Sequence, residues 1–223
     1  ASGQLKDEAN AWFVGEPFKV FYDYKKEGIW QLGEEAAAAA NGQEPGDIKV
    51  QDVDGNGVIT TDDRIIYSQR PDVTFGFNNT FNYKGFDLSV FLYARLGQWI
   101  AYDYNTTYRI NALENGGNVD YWTPENPTNA FPRPNKSKSY TQVTYYSTLK
   151  YEDGSFFKIR DITLGYTFKP ELLKHLNLSR LRVYATAKNF FTFSKIDNYD
   201  PEQGGSISFP MTKQLVFGLN VEF

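Results

Sequence analysis

The feature that most constrains this chain is alternation of apolar and polar residues sustained over runs of roughly ten to twelve positions. Val73, Phe75, Phe77, Phe81 and Tyr83 are apolar, while the interleaved Thr74, Gly76, Asn78, Thr80 and Asn82 are small or polar. After a Lys84-Gly85 turn, Phe86, Leu88, Val90, Leu92, Ala94 and Leu96 alternate with Asp87, Ser89, Tyr93 and Arg95. The pattern returns at Ile162, Leu164, Tyr166 and Phe168, again at Leu181, Val183, Ala185 and Ala187, and finally at Leu215, Phe217, Leu219, Val221 and Phe223. A period of two belongs to a β-strand, whose side chains point alternately to opposite faces, so each run carries one greasy face. An aromatic content of 17% with 18 glycines suits an all-β chain rich in turns.

Two architectures satisfy that alternation: a soluble sandwich with one buried face per strand, and a membrane barrel with lipid outside and a polar lumen inside. Strands in soluble sheets are usually about five to six residues long, whereas about ten tilted residues cross a bilayer. Connections also alternate in length. The Lys84-Gly85 turn and residues 169–179 are short links, while residues 97–155 and 194–210 are long, the asymmetry of barrels with short periplasmic turns and long extracellular loops. Trp99, Tyr102, Tyr166, Phe168 and Phe223 fall near strand ends, where aromatic girdles meet the headgroups, although sheet cores hold such rings too.

Residues 46–64, GDIKVQDVDGNGVITTDDR, space oxygen donors as a calcium loop does. Taking Asp52 as position 1 puts Asp54 at 3, Asn56 at 5, Gly57 at 6, the Val58 carbonyl at 7, Thr60 at 9 and Asp63 at 12. The glycine permits the bend a chain makes when it curls around a hard cation. The expected metal ligands are Asp52, Asp54, Asn56, Val58 through its carbonyl, and Asp63, with Ca2+ as the ion. Two departures from the EF-hand pattern predict weaker or altered binding. Position 12 is Asp, which reaches less readily than Glu, and extended chain replaces the flanking helices. An acidic Asx-turn without metal is the plainer alternative.

At this point the chain resembles a known family. VGEPFKVFYDYKKEGIW, the acidic loop, FGFNNTFNYKGFDLSVFLYARLGQ, YWTPENPTNAFPRP, SFFKIRDITLGYTF, LRVYATAKNFFTFSK and NYDPE follow one another as in the C-terminal barrel of SusC/RagA-type TonB-dependent outer-membrane transporters of Bacteroidetes. The resemblance covers nearly all of the chain and implies a 22-stranded barrel, of which this chain supplies about six strands, Phe18–Tyr24 being the first. The implied plug and upstream strands have no counterpart here. Further implied are a TonB complex acting through the plug, a SusD-like lipoprotein lid, and import of oligosaccharides or peptides at the bacterial outer membrane. If Phe223 ends at the periplasmic side, residues 46–64, 97–155 and 194–210 are extracellular. Trp99, Tyr121 and Trp122 are then candidate ligand contacts, with packing inside the loops the plainer role. Arg95, Arg160, Arg182 and Lys188 would line the lumen as solvated charges or pair with plug carboxylates.

Other functions find little support. A net charge of −4 argues against nucleic acid as partner, and no apolar run is long enough for a transmembrane helix. Without cysteine there is neither a disulfide nor a thiolate metal site. The first residues do not read as a signal peptide, which suggests a mature, processed or truncated chain. The one histidine, His175, follows Glu171 to Lys174 in a short helix-like turn and is expected at the surface, and no catalytic constellation accompanies it, so no enzyme is expected. Glu34 and Glu35 precede five alanines, reading as the start of a short helix. The competing functional class is a soluble, calcium-stabilised β-sandwich that binds carbohydrate.

Overall fold

The computed structural model of the protein describes residues 6–111 and 116–223. In chain order the strands are β1 Lys6–Asp7, β2 Trp12–Phe13, β3 Phe21–Tyr24, β4 Lys26–Ile29, β5 Ile48–Val50, β6 Arg64–Tyr67, β7 Val73–Tyr83, β8 Phe86–Leu96, β9 Trp99–Ala101, β10 Tyr151–Asp153, β11 Phe156–Thr167, β12 Arg180–Ser194 and β13 Gln214–Glu222. Two short helices, α1 Glu35–Ala40 and α2 Pro170–Leu173, join them. The chain divides into two compact units. One runs to Arg70 and adds Trp99–Glu152 and Gly204–Ile207; the other holds Pro71–Gln98, Asp153–Gln203 and Ser208–Phe223.

The second unit is built on one sheet, ordered β13-β12-β11-β8-β7 with every neighbouring pair antiparallel. Its register turns the one-dimensional alternation into two chemically distinct faces. Tyr83, Phe86, Tyr166, Val183 and Leu219 form one lateral row, and Phe81, Leu88, Leu164, Ala185 and Phe217 form the next. The third row, Asn79, Val90, Ile162, Ala187 and Leu215, has a single polar member. This apolar face lies open, with Phe81 61% and Phe217 76% exposed. In a sandwich those rings would fill the gap of about 10 Å between two sheets, so the open face disfavours that alternative. Strand length agrees. The 11 residues of β7 and of β8, at about 3.3 Å each and tilted about 40°, would cover about 28 Å of bilayer thickness.

The opposite face is polar and internally bonded. Thr163 and Thr186 share a hydroxyl hydrogen bond at 2.8 Å, and Arg182 donates from Nε and Nη2 to the two carboxylate oxygens of Asp87 at 2.8 and 2.5 Å. That ion pair passes over Gly165. A Cβ there would stand 2.5 Å from both Arg182 Nη2 and Asp87 Oδ1, so the close approach of the pair requires glycine.

A bulge resets the pattern in β11. Ile159 pairs with Leu92 and Phe191, whereas Asp161 pairs with Phe91 and Lys188, leaving Arg160 as the extra residue. One inserted residue reverses side-chain parity. Phe157 and Ile159 therefore share the apolar face with Ile162 and Leu164, although a single period would place them on opposite sides.

One expectation is corrected. Phe18–Tyr24 is not a strand of this sheet, which has five strands rather than six. Lys19 has φ 61°, which turns the chain, and only Phe21–Tyr24 is extended; it pairs with β6 in a separate two-stranded sheet. Its aromatics explain why: Phe21 and Tyr67 both pack on Tyr151, and the Tyr67 hydroxyl donates to the Tyr24 carbonyl at 2.9 Å. That cluster belongs to the first unit.

The long connection is itself folded. In the first unit Ile29, Ile48, Val50, Trp122 and Leu149 form a buried core, flanked by Tyr24, Ile59, Phe131, Val143, Tyr145 and Tyr146. Residues 120–133 lie along β4 and β5: Asn129 Oδ1 accepts from the Ile29 amide at 3.0 Å, and Arg133 pairs with Glu44 at 2.8 Å. The helix expected after Glu34 is α1. Glu34 accepts from the Gln31 amide at 2.8 Å and pairs with Lys49 at 2.9 Å, holding that helix start to β5.

The two faces give a parity test in lipid. Leu219→Arg, on the apolar face of β13, should lower the unfolding free energy of the intact protein in vesicles by roughly 2–4 kcal/mol, while Asn220→Arg on the other face should change it little. Urea titration reads both variants, and equal losses would contradict the register.

Candidate functional site

The acidic loop links β5 to β6 and folds as a set of successive side-chain caps. Asp52 accepts from the amides of Gly55 at 2.8 Å and Gly57 at 2.7 Å. Asp54 accepts from the Asn56 amide at 3.0 Å, and Asn56 Oδ1 accepts from the Val58 amide at 2.8 Å. Each short polar side chain thus bonds the backbone two to five residues on, which curls the chain. Gly57 has φ 85°, the left-handed conformation expected at the bend. Ile59 ties the loop to the rest of the unit, donating to Asn41 Oδ1 at 3.1 Å and packing on the core.

Asp63 closes the loop. It sits in the 3-10 turn Thr61–Asp63, capped by Thr60, and its side chain is fully shielded from solvent. Its two oxygens accept from the Thr60 amide at 2.7 Å and the Val53 amide at 2.8 Å. Those donors, the Thr60 amide first, hold its carboxyl below the usual range against the opposing effect of burial.

The fold brings Asp52, Asp54 and Asp63 together, one oxygen of each lying within 4.8 Å of the others. Two oxygens that share one calcium at about 2.3–2.6 Å stand at most about 5 Å apart, so the trio fits a common ion. Among the described residues no Lys or Arg neutralises these carboxylates. Asn56 and Val58 lie in the same curl, tied to each other and to Asp54 by the bonds above. Mutual repulsion of three carboxylates is relieved by a cation or by protonation.

The remaining candidates separate by burial. Trp122 is a core residue, 4% exposed, and its indole donates to Gln31 Oε1 at 2.8 Å. Trp99 is half-buried with its ring edge-on to Tyr67 at 4.8 Å; only Tyr121 of the three is exposed. Trp99 and Tyr102 belong to the first unit's packing, whereas Tyr83, Phe86, Tyr166 and Phe168 gather at the turn end of the sheet. His175 is exposed, in the 3-10 turn Lys174–Leu176.

The basic residues of the polar face are partnered rather than simply solvated. Besides Arg182 with Asp87, Arg160 reaches Glu202 at 3.1 Å, Lys188 reaches Asp161 at 3.8 Å, and Arg95 Nε donates to the Tyr93 hydroxyl at 2.8 Å. Sequence reasoning missed the most deeply placed cation, Lys158. Its side chain is wholly inaccessible and its ammonium donates to Asp200 at 2.6 Å and Glu202 at 2.7 Å. Removing one partner of such a buried pair typically costs roughly 3–5 kcal/mol. The signal was two carboxylates flanking Pro201, but the partners are 42 and 44 positions from Lys158.

The Asp63 geometry gives a pH prediction. Its folded value lies below the value of about 3.9 for an unfolded Asp, so its contribution is complete above about pH 4 and is lost as pH falls through the lower folded value. Hydrogen-exchange protection of the Val53 and Thr60 amides should therefore be full near neutral pH and fall below about pH 4 in an acid titration. Protection that persists in the Asp63→Ala variant would show that other contacts order the loop.

No protein-family model matches the sequence. The chain is 31% identical over 94% of its length to TonB-dependent receptor P3 of Formosa agariphila, spanning 22% of that protein. It is 31% identical over 77% of its length to the TonB-dependent receptor SusC of Bacteroides thetaiotaomicron, spanning 17% of it. The solved structure of the RagAB peptide transporter superposes with a TM-score of 0.70 at 24% identity, over 95% of this chain and 24% of that one. The RagAB peptide importer in its open-open state gives 0.66 at 26% identity, over 95% and 23%. The chain thus spans about a fifth of the length of the curated relatives it matches. Its alternating strands, open apolar face and these likenesses agree: the chain belongs to the SusC/RagA-type TonB-dependent receptors.

Proposed function

We propose that this chain is part of the wall of an outer-membrane barrel that imports oligosaccharides or peptides. The observation that carries the reading is the continuous apolar face, uncovered along strands long enough to cross a bilayer. Lipid is the medium that satisfies such a face. The remainder of the barrel and its plug complete the transporter, an inner-membrane TonB complex supplies energy through that plug, and a SusD-like lipoprotein seats over the outer loops to trap substrate. The likeness to a peptide transporter supports the peptide arm; the exposed Tyr121 in an Asn- and Pro-rich loop suits stacking on a sugar. The chain performs no bond-making chemistry.

In this orientation the Lys84-Gly85 turn is periplasmic and residues 97–155 are extracellular. Whole cells making the intact receptor test it with a membrane-impermeant maleimide. Glu125→Cys, at an exposed position, should react, and Lys84→Cys should not. Labelling of Lys84→Cys with Glu125→Cys protected in cells lacking the lipoprotein would invert the topology.

We also propose that residues 46–64 hold one structural calcium ion through Asp52, Asp54, Asn56, the Val58 carbonyl and Asp63. The three converging carboxylates support this reading. The ion neutralises their repulsion and stiffens an outer loop. Calorimetry on the intact receptor should give a dissociation constant in the roughly micromolar to millimolar range, abolished by Asp52→Ala with Asp54→Ala. An unchanged binding isotherm in that double variant would remove the site.

A further inference from the structure

We propose that residues 195–203 fold inward and line the pore, keyed to the barrel wall by Lys158 as a positioning residue. The inference rests on the barrel reading above, because it takes the polar face of the sheet as the lumen side. Lys158 lies on that face: its register partners are Tyr93 and Thr192, in line with Gly76, whereas the neighbouring Ile159 pairs with Leu92 and Phe191 on the apolar side. Its ammonium lies over the Phe156 ring of its own strand, 5.5 Å from the centroid, and both carboxylates it is hydrogen-bonded to, Asp200 and Glu202, come from beyond β12. A segment that closes over a polar-face lysine so completely has to lie across that face rather than splay away from it.

The segment is held along its length. Ser194 Oγ donates to the Ile196 carbonyl at 2.7 Å, starting the turn, and Ile196 is buried. Thr192 donates to Asp200 at 3.3 Å, the Glu202 amide donates to Asp200 Oδ1 at 3.0 Å, and Pro201 is buried between the two acids. Arg160, the bulge residue of β11, reaches Glu202 as well. The bulge therefore has a use, since it turns an arginine toward the carboxylate that Lys158 also holds. Beside the segment a cavity of about 260 Å³ opens, lined by Asn189, Thr192, Asn198, Tyr199 and Lys213 among others. Its walls are largely polar side chains that can hydrogen-bond a solute passing along the wall.

Spin labels on the intact receptor in lipid vesicles test the proposal. One pair, at Asn198→Cys and Asn220→Cys, reads the position of the segment against the polar face of β13. We expect one narrow distance distribution, lost in Lys158→Met and restored in Lys158→Arg, which keeps a cation able to meet both carboxylates. Collision with a water-soluble paramagnet should be strong at Asn198→Cys, and collision with oxygen should dominate at Phe217→Cys. A narrow distribution that survives Lys158→Met would overturn the keying role. Should Lys158→Met fail to fold, Glu202→Gln, which retains the Lys158–Asp200 pair, must broaden the distribution, and its failure to do so counts equally against the proposal. Lipid contact at Asn198→Cys overturns the inward fold. Water contact at Phe217→Cys instead removes the barrel reading beneath it, so the two failures are distinguishable.

Discussion

Backbone hydrogen bonding is the constraint on which the rest of this structure depends. Within the five-stranded sheet β8, β11 and β12 are paired on both sides, but β7 and β13 are each paired on one. In hydrocarbon an unsatisfied amide or carbonyl costs several kcal/mol, so a sheet with such edges cannot stand alone there. On the proposed barrel reading the apolar face meets lipid, and further strands pair with both edges to close the ring.

The two faces of the sheet solve different problems. Toward the apolar side, packing is lateral, between neighbours such as Phe86 and Tyr166, whose ring centroids are 4.7 Å apart. Toward the polar side, charge is neutralised within the face, by Arg182 with Asp87 and by Lys188 with Asp161. Register is what keeps these chemistries apart. A slip of one residue would drive Leu219 and its row onto the charged face, so the greasy and polar rows together specify the pairing more strongly than backbone bonds do.

Much of this was legible in the sequence because alternation is a local signal. β7, β8 and β13 could be read almost residue by residue, and the caps of the acidic loop follow from Asp, Asn and Gly at short spacing. What failed was what depends on distant partners. Phe18–Tyr24 has the aromatic content of a barrel strand, but Phe21 packs on Tyr151 and pairs in register with Tyr67, which recruits the segment to another sheet. For Trp122 the plainer reading, packing inside the loops, holds, but its core partners Ile29 and Ile48 lie far upstream and could not be read from its own Pro-rich run. In β11 the alternation is legible only from Asp161 onward, since the bulge at Arg160 breaks the period there.

The acidic loop and the Lys158 cluster are opposite answers to one electrostatic problem. Asp52, Asp54 and Asp63 converge without a cationic side chain among the described residues, so their repulsion is relieved by a cation from solution or by protonation. Lys158 is balanced from within, two carboxylates closing on one ammonium and Arg160 sharing the surplus negative charge on Glu202. Screening affects them differently: exposed charges respond to salt and divalent ions, whereas a fully enclosed pair responds little. On the proposed calcium reading the ion adds to the side-chain caps that already curl the acidic loop, whereas the segment held by Lys158 carries its counter-charge within the fold.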